Sequence, residues 1–116
     1  MAKYTGGCHC GKVRYEVDAD IGGVIACNCS ICQKTGTLLT FVPATSFTLI
    51  HGEEALTDYL FNRNVIHHLF CNTCGIRSFA RGIAPDGSAV AAVNVRCLDD
   101  FEADKFPVHH YDGRAH

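Results

Sequence analysis

Seven of the eight cysteines in this chain lie in three short groups, and their spacing is that of metal ligands. The groups are Cys8 with Cys10, then Cys27, Cys29 and Cys32, then Cys71 with Cys74. One or two residues between cysteines let two thiolates meet at one ion, and a glycine after the second cysteine allows a tight turn. Disulfides across such spacings would close very small loops and stabilise little. The three groups are therefore predicted to bind metal.

The first and last groups together supply four sulfurs, the number that a closed structural zinc site takes. We predict that Cys8, Cys10, Cys71 and Cys74 hold one zinc ion. Bringing together segments about 60 residues apart costs on the order of 4 kcal/mol of loop-closure entropy. A structural zinc contributes roughly 10 to 16 kcal/mol of apparent binding free energy, so metal binding outweighs that cost.

The middle group offers three sulfurs, Cys27, Cys29 and Cys32, and no evident fourth ligand. Three protein ligands with an open fourth position are typical of a reactive zinc, which can deprotonate a bound thiol or polarise a carbonyl. A free thiol, by comparison, is only about 3% thiolate at pH 7. We predict a second zinc here, with these cysteines as the catalytic residues. The alternative is a second closed site, completed by a histidine or by Cys97.

The elements that must position these cysteines are mostly strands. Residues 11–17 alternate, with Val13, Tyr15 and Val17 on one face, which predicts a half-buried strand. Two short segments, 30–35 and 98–105, could form a helical turn or two. A mainly β domain of small antiparallel sheets, spanning residues 1–116, is expected. Further predicted strands cover residues 23–27, 38–42, 47–50, 56–61, 65–70, 76–80 and 89–95.

Charge and hydropathy exclude several classes of function. The chain of 116 residues has 10 basic and 12 acidic side chains and a formal net charge of -2, so no positive patch for nucleic acid is expected. The N-terminal residues lack the apolar stretch of a signal peptide, and no segment has the roughly 20 apolar residues of a membrane span. We therefore expect a cytoplasmic protein that neither crosses a membrane nor binds nucleic acid, with its thiols reduced.

The cysteine motifs resemble, in order and spacing, those of the glutathione-dependent formaldehyde-activating enzymes, the family that includes the domain of centromere protein V. The matching stretches are GCHCG at 7–11 with VRYE at 13–16, CNCSICQK at 27–34 and FCNTCG at 70–75. The resemblance implies an Mss4-like fold of several small coiled β-sheets held together by zinc. It also implies the ligand sets given above, with two zinc ions per chain.

The activity implied by this resemblance is that of a carbon–sulfur lyase. The family reaction adds the thiol of glutathione to formaldehyde and gives S-(hydroxymethyl)glutathione. The partners expected are therefore a small-molecule thiol, such as glutathione, and an aldehyde. Two alternatives stay open: a non-catalytic binding module stabilised by zinc, and a metal or redox sensor that uses the middle cysteines.

Several other residues receive structural interpretations. His67 and His68 are neighbours in a predicted strand and should point to opposite faces, one of them half-buried. Cys97 has no cysteine near it in sequence and is expected to be a small buried side chain. Three arginines in or next to predicted strands are assigned to outward faces, which need charge, rather than to a polar substrate: Arg14, Arg77 and Arg81. No cluster of Arg or Lys marks a docking site for the two carboxylates of glutathione.

Overall fold

Ten strands and one short helix make up the computed structural model, which describes residues 2–60 and 66–113. The mainly β fold predicted from the sequence is confirmed. The strands are β1 (Lys3–Gly7), β2 (Arg14–Asp18), β3 (Val24–Cys27), β4 (Leu39–Pro43), β5 (Phe47–His51), β6 (Leu56–Tyr59), β7 (His67–Cys71), β8 (Phe79–Ile83), β9 (Ala89–Asn94) and β10 (Val108–Tyr111). The helix is α1 (Ser30–Thr35).

The strands form two sheets. The smaller sheet has the order β1-β2-β5, and the larger has the order β10-β3-β4-β9-β8-β7-β6. All pairs are antiparallel except β10 with β3, which run parallel and place Tyr111 opposite Cys27. The sequence prediction omitted β1, which contains two glycines, and β10, whose four residues are all exposed. Neither strand has the alternation of buried and exposed side chains on which the prediction depended.

The core lies between the two sheets. Val13, Tyr15 and Val17 are fully buried, as their alternation predicted. The Tyr15 ring stands 5.0 Å from that of Phe47 on β5 and 5.8 Å from that of Phe79 on β8, measured between centroids. The contact with Phe79 joins the small sheet to the large one, whereas the contact with Phe47 lies within the small sheet. Both contribute beyond the apolar area that they bury.

Of the two segments that could form a helical turn or two, residues 30–35 form an α-helix, and residues 98–105 contain a single 3₁₀ turn. Helix α1 begins after Cys29, whose Sγ accepts a hydrogen bond from the Cys32 N–H, and ends at Gly36 in the left-handed conformation. Only short 3₁₀ turns form at Val95–Cys97 and Ala103–Lys105, and Asp100, at φ 53°, interrupts the region. No helix within residues 2–60 and 66–113 has the length and apolar character needed to cross a membrane.

Several predicted strand boundaries differ from those observed. Strand β2 begins at Arg14 rather than at residue 11, because the preceding residues form a turn in which the Cys8 N–H donates to the Val13 carbonyl. The strand predicted at 76–80 begins instead at Phe79, since residues 71–76 are occupied by a second tight turn. The ends of two predicted strands, at residue 61 and at residue 65, lie outside the described residues.

Candidate metal centres and the adjoining cavity

The first candidate metal centre joins the first and last cysteine groups. The Sγ atoms of Cys8, Cys10, Cys71 and Cys74 all lie within 4.8 Å of one another. Two of these separations, Cys8 to Cys10 and Cys10 to Cys71, are 3.6 Å. Sulfurs placed tetrahedrally at about 2.3 Å from zinc stand about 3.8 Å apart. The four thiols thus fit a four-coordinate zinc ion in both donor type and spacing.

Two tight turns hold these four thiols. In the first, the Val13 N–H donates to Cys8 Sγ over 3.3 Å, and Gly11 adopts φ 83°. In the second, the Gly75 N–H donates to the Cys71 carbonyl over 2.8 Å, and Gly75 adopts φ 79°. Such positive φ angles suit glycine, so each glycine permits the turn that directs the sulfurs toward one point.

Backbone N–H groups also favour the thiolate forms in this cluster. Burial raises the pKa of Cys74, but hydrogen bonds from the N–H groups of Cys10 and Ile76 outweigh it and lower the pKa to about 6. The pKa of Cys71 is also lowered, chiefly by a hydrogen bond from the Cys74 N–H. Hydrogen bonds to a charged group favour that charged form, which is also the form that binds metal.

The second candidate centre is the middle cysteine group. The Sγ atoms of Cys27, Cys29 and Cys32 lie within 4.8 Å of one another, and all three side chains are partly buried. Cys27 ends β3, Cys29 caps α1 and Cys32 lies in its first turn, so the strand-to-helix junction brings the sulfurs together. The Cys29 N–H donates to Cys27 Sγ over 3.4 Å.

No fourth ligand joins this group from the described part of the chain. No other Cys, His, Asp or Glu there has a ligand atom that completes the cluster. Cys97, which the sequence left open as a fourth ligand, instead places its Sγ 3.8 Å from the Arg77 carbonyl oxygen and 3.5 Å from Asn94 Nδ2. The donor set fits a zinc ion with three sulfurs and one open position.

Metal binding at this group must displace protons. Burial, followed by the neighbouring Cys29, raises the pKa of Cys32 to about 12. Burial also raises the pKa of Cys27. The thiols of Cys27 and Cys32 are therefore protonated at neutral pH without a metal, and their deprotonation is coupled to metal binding. Burial raises the pKa of Cys29, but hydrogen bonds, chiefly from the Cys32 N–H, outweigh it and lower that pKa.

A cavity of about 470 Å³ opens beside the middle cysteine group, which forms part of its wall. Most of the remaining wall is apolar and comes from β3, β4, α1, β8 and β9 and from Ile66. Six polar side chains besides the cysteines also line it: Thr35, Thr37, His68, Arg77, Asn94 and Tyr111. An apolar cavity with a few polar groups at a set of reactive side chains is the usual form of a small-molecule site.

Arg77 and His68 are the site residues that sequence reasoning missed. Arg77, assigned to an outward face, is half-buried and lines the cavity near Cys32 and Cys29. Burial, and then the positive charge of Arg77, lowers the pKa of His68 to about 4, so the imidazole is neutral at pH 7. The available signal was the adjacency of two histidines: His67 is exposed and bonded to Asp58, and His68 faces inward.

The other two arginines lie away from the cavity. Arg14 pairs with Asp99, which also accepts a hydrogen bond from the Thr5 hydroxyl over 2.8 Å. Arg81 stands over the Phe79 ring, with its guanidinium carbon 5.3 Å from the centroid. Both therefore have the structural roles expected from the sequence.

The family follows from comparison with known proteins. The model of a family described as "glutathione-dependent formaldehyde-activating enzyme" matches residues 3–112, and the chain belongs to this family. The resemblance noted in the cysteine motifs is thus confirmed. Among solved structures, the chain is similar to the crystal structure of a Rhodobacter sphaeroides protein. The two share 29% identity with a TM-score of 0.78, over 90% of this chain and 99% of that chain.

Proposed function

We propose that this protein is a zinc-dependent enzyme of the carbon–sulfur lyase type that forms and cleaves thiol–aldehyde adducts. The family reaction joins glutathione and formaldehyde to give S-(hydroxymethyl)glutathione. The observation that carries the proposal is that Cys27, Cys29 and Cys32 form a three-sulfur group on the wall of a cavity. The described residues offer this group no fourth ligand, which leaves a position for a reactant.

The reaction needs no oxidant or reductant. A bond forms between the thiol sulfur and the aldehyde carbon, the carbon–oxygen double bond becomes single, and the thiol proton ends on the oxygen. Zinc bound by the three cysteines would supply Lewis acidity, which favours the thiolate form of a thiol and polarises a carbonyl. Cleavage of the adduct is the same sequence in reverse.

The chain itself contributes charge, exclusion of water and positioning. Arg77 brings a positive charge to the cavity beside Cys29 and Cys32, where it favours a thiolate and the oxygen that gains charge on the aldehyde. A reactant bound against the apolar wall would displace water from the reacting atoms and lower the local dielectric constant. Holding the two reactants together contributes further rate enhancement.

The four-sulfur cluster has a structural role in this proposal. A zinc ion bound by Cys8, Cys10, Cys71 and Cys74 would tie the turn before β2 to the turn after β7. The free energy of metal binding then becomes folding free energy, because the unfolded chain has no preformed site. Both clusters require reduced thiols, which persist in the cytoplasm. We therefore also propose a cytoplasmic location.

The test compares rates of adduct formation. Exchange NMR spectroscopy measures the interconversion of thiol, aldehyde and adduct with zinc-loaded protein, with the Cys29→Ser variant and with buffer alone. We expect faster exchange with the wild-type protein than with the other two samples. If stoichiometric wild-type protein with two bound zinc ions accelerates exchange for none of several thiols, the catalytic proposal is wrong and a non-catalytic role is favoured.

A further inference from the structure

The cavity beside the middle cysteine group is far larger than formaldehyde requires. Its volume of about 470 Å³ lies within the range of sites that enclose much larger ligands. A molecule with only two non-hydrogen atoms gains too little binding free energy to reach submillimolar affinity. The size of this cavity is therefore not explained by formaldehyde as the aldehyde.

The cavity wall is suited to hydrocarbon. Six large apolar side chains line it: Ile25, Ile31, Leu39, Phe41, Ile66 and Phe79. Phe41 is 52% exposed and Ile66 is 48% exposed, although side chains of this size usually contribute to folding by being covered. A ligand with an alkyl or aryl body would remove part of this apolar surface from water.

The charges of the cavity do not match glutathione. Of its lining residues in the described part of the chain, Arg77 is the one Lys or Arg, and none is Asp or Glu. Glutathione carries two carboxylates and an ammonium group, and burying charges without partners is costly. Arg77 could pair with only one of these three charges, so we expect the ionic groups of glutathione to stay largely in water and the apolar volume to accommodate the other reactant.

We infer that the aldehyde used by this site is an apolar one, with a straight alkyl or an aryl body that fills the cavity beside Cys27, Cys29 and Cys32. Arg77 is then placed to meet the oxygen of the aldehyde, the one polar atom that such a molecule has. The inference rests on the proposed thiol–aldehyde reaction and narrows it to a class of substrate.

The length of the alkyl chain of the aldehyde is the variable that tests this inference. With zinc-loaded protein and glutathione fixed, adduct formation is measured for formaldehyde, butanal, hexanal and octanal. In parallel, NMR titration measures binding of the unreactive alcohols butanol, hexanol and octanol. Each buried methylene should raise alcohol affinity and kcat/KM for the aldehyde about fourfold until the cavity is full.

Variants locate the effect in the cavity. Ala92 on β9 lines the cavity next to Ala80, its pairing partner on β8. Ala92→Leu should weaken hexanol binding roughly tenfold and lower the octanal-to-formaldehyde ratio of kcat/KM by a similar factor. Ala89→Leu is the matched control, because Ala89 lies on the same strand, is exposed and does not line the cavity. Phe41→Ala, at an exposed position, should also reduce the gain per methylene, so the test does not depend on one variant folding.

Three results would overturn the inference, and they differ in whether the proposed thiol–aldehyde reaction would still hold. Acceleration with formaldehyde but no dependence on aldehyde length would refute the substrate class and preserve the proposed reaction. A length dependence that follows the thiol, with formaldehyde fixed, would assign the cavity to the thiol instead. No acceleration with any aldehyde would refute the proposed reaction, and with it the substrate, even if the alcohols bind.

Discussion

Gly113 lies against the sulfur of Cys27, so closely that a Cβ atom on Gly113 would stand 2.5 Å from Cys27 Sγ. The chain after β10 thus passes over the middle cysteine group. Two hydrogen bonds hold it there: the Asn28 N–H donates to the Tyr111 carbonyl over 3.2 Å, and Asn28 Nδ2 donates to Asp112 Oδ1 over 3.0 Å. Residues 111–113 therefore adjoin the second candidate metal centre.

Substituting Gly113→Ala should weaken metal binding at the middle group. The added methyl would have to displace Cys27 Sγ or the backbone. Mutations of the groups that support metal ligands typically cost 10- to 100-fold in metal affinity, and we expect a loss of that order here. Competition with a chelator, followed by native mass spectrometry, measures the change. Gly22→Ala is the control, because a Cβ there meets nothing within 4 Å. Equal affinity in both variants would show that the Gly113 contact does not matter.

Native mass spectrometry should find two zinc ions in each folded chain, with the ion at Cys27, Cys29 and Cys32 removed first by a chelator. That ion has three protein sulfurs rather than four, so fewer bonds oppose its release. The Cys29→Ser variant should retain one zinc ion and its far-ultraviolet circular dichroism spectrum. One zinc ion in folded wild-type protein, with no change in Cys29→Ser, would contradict the two-site interpretation.

Loss of the four-sulfur cluster should affect stability rather than chemistry. Cys71 is fully buried, and Cys71→Ser should lower the free energy of unfolding by several kcal/mol, because a structural zinc contributes an amount comparable with the whole stability of a domain. Cys97→Ala, which removes a thiol outside both clusters, should cost only about 1 kcal/mol. Urea denaturation of zinc-loaded samples compares the two. Similar losses in both variants would argue against a structural metal at Cys71.

Arg77 should contribute to catalysis through its charge. We expect Arg77→Met to lower kcat/KM for adduct formation about 10- to 100-fold, since a preorganised cation near developing negative charge is lost. Arg77→Lys should recover part of the rate, because it restores the charge without the planar guanidinium. Arg96→Gln removes an exposed arginine outside the cavity and should leave the rate unchanged. If Arg77→Met retains the full rate and both zinc ions, the guanidinium has no part in the reaction.

Local spacing was enough to predict several features of the fold. The alternation correctly predicted that Val13, Tyr15 and Val17 share one buried face, because successive residues of a strand face opposite sides. The helix at 30–35 also forms where the sequence predicted it. Within each cysteine group, the sulfurs converge because only one or two residues separate them. Such features depend on backbone geometry over a few residues, which the sequence itself determines.

The surroundings of the middle cysteines depended on the tertiary structure. Arg77 and His68 reach the same cavity as Cys32 only because of the order of the strands in the large sheet. Asn28 and Asp112, joined by a hydrogen bond, are 84 residues apart in sequence. Strand β10 is exposed along its whole length, so no burial pattern marks it, and only its parallel pairing with β3 brings Gly113 to Cys27. The sequence by itself determined which residues can bind metal, and long-range strand pairing decided which groups surround them.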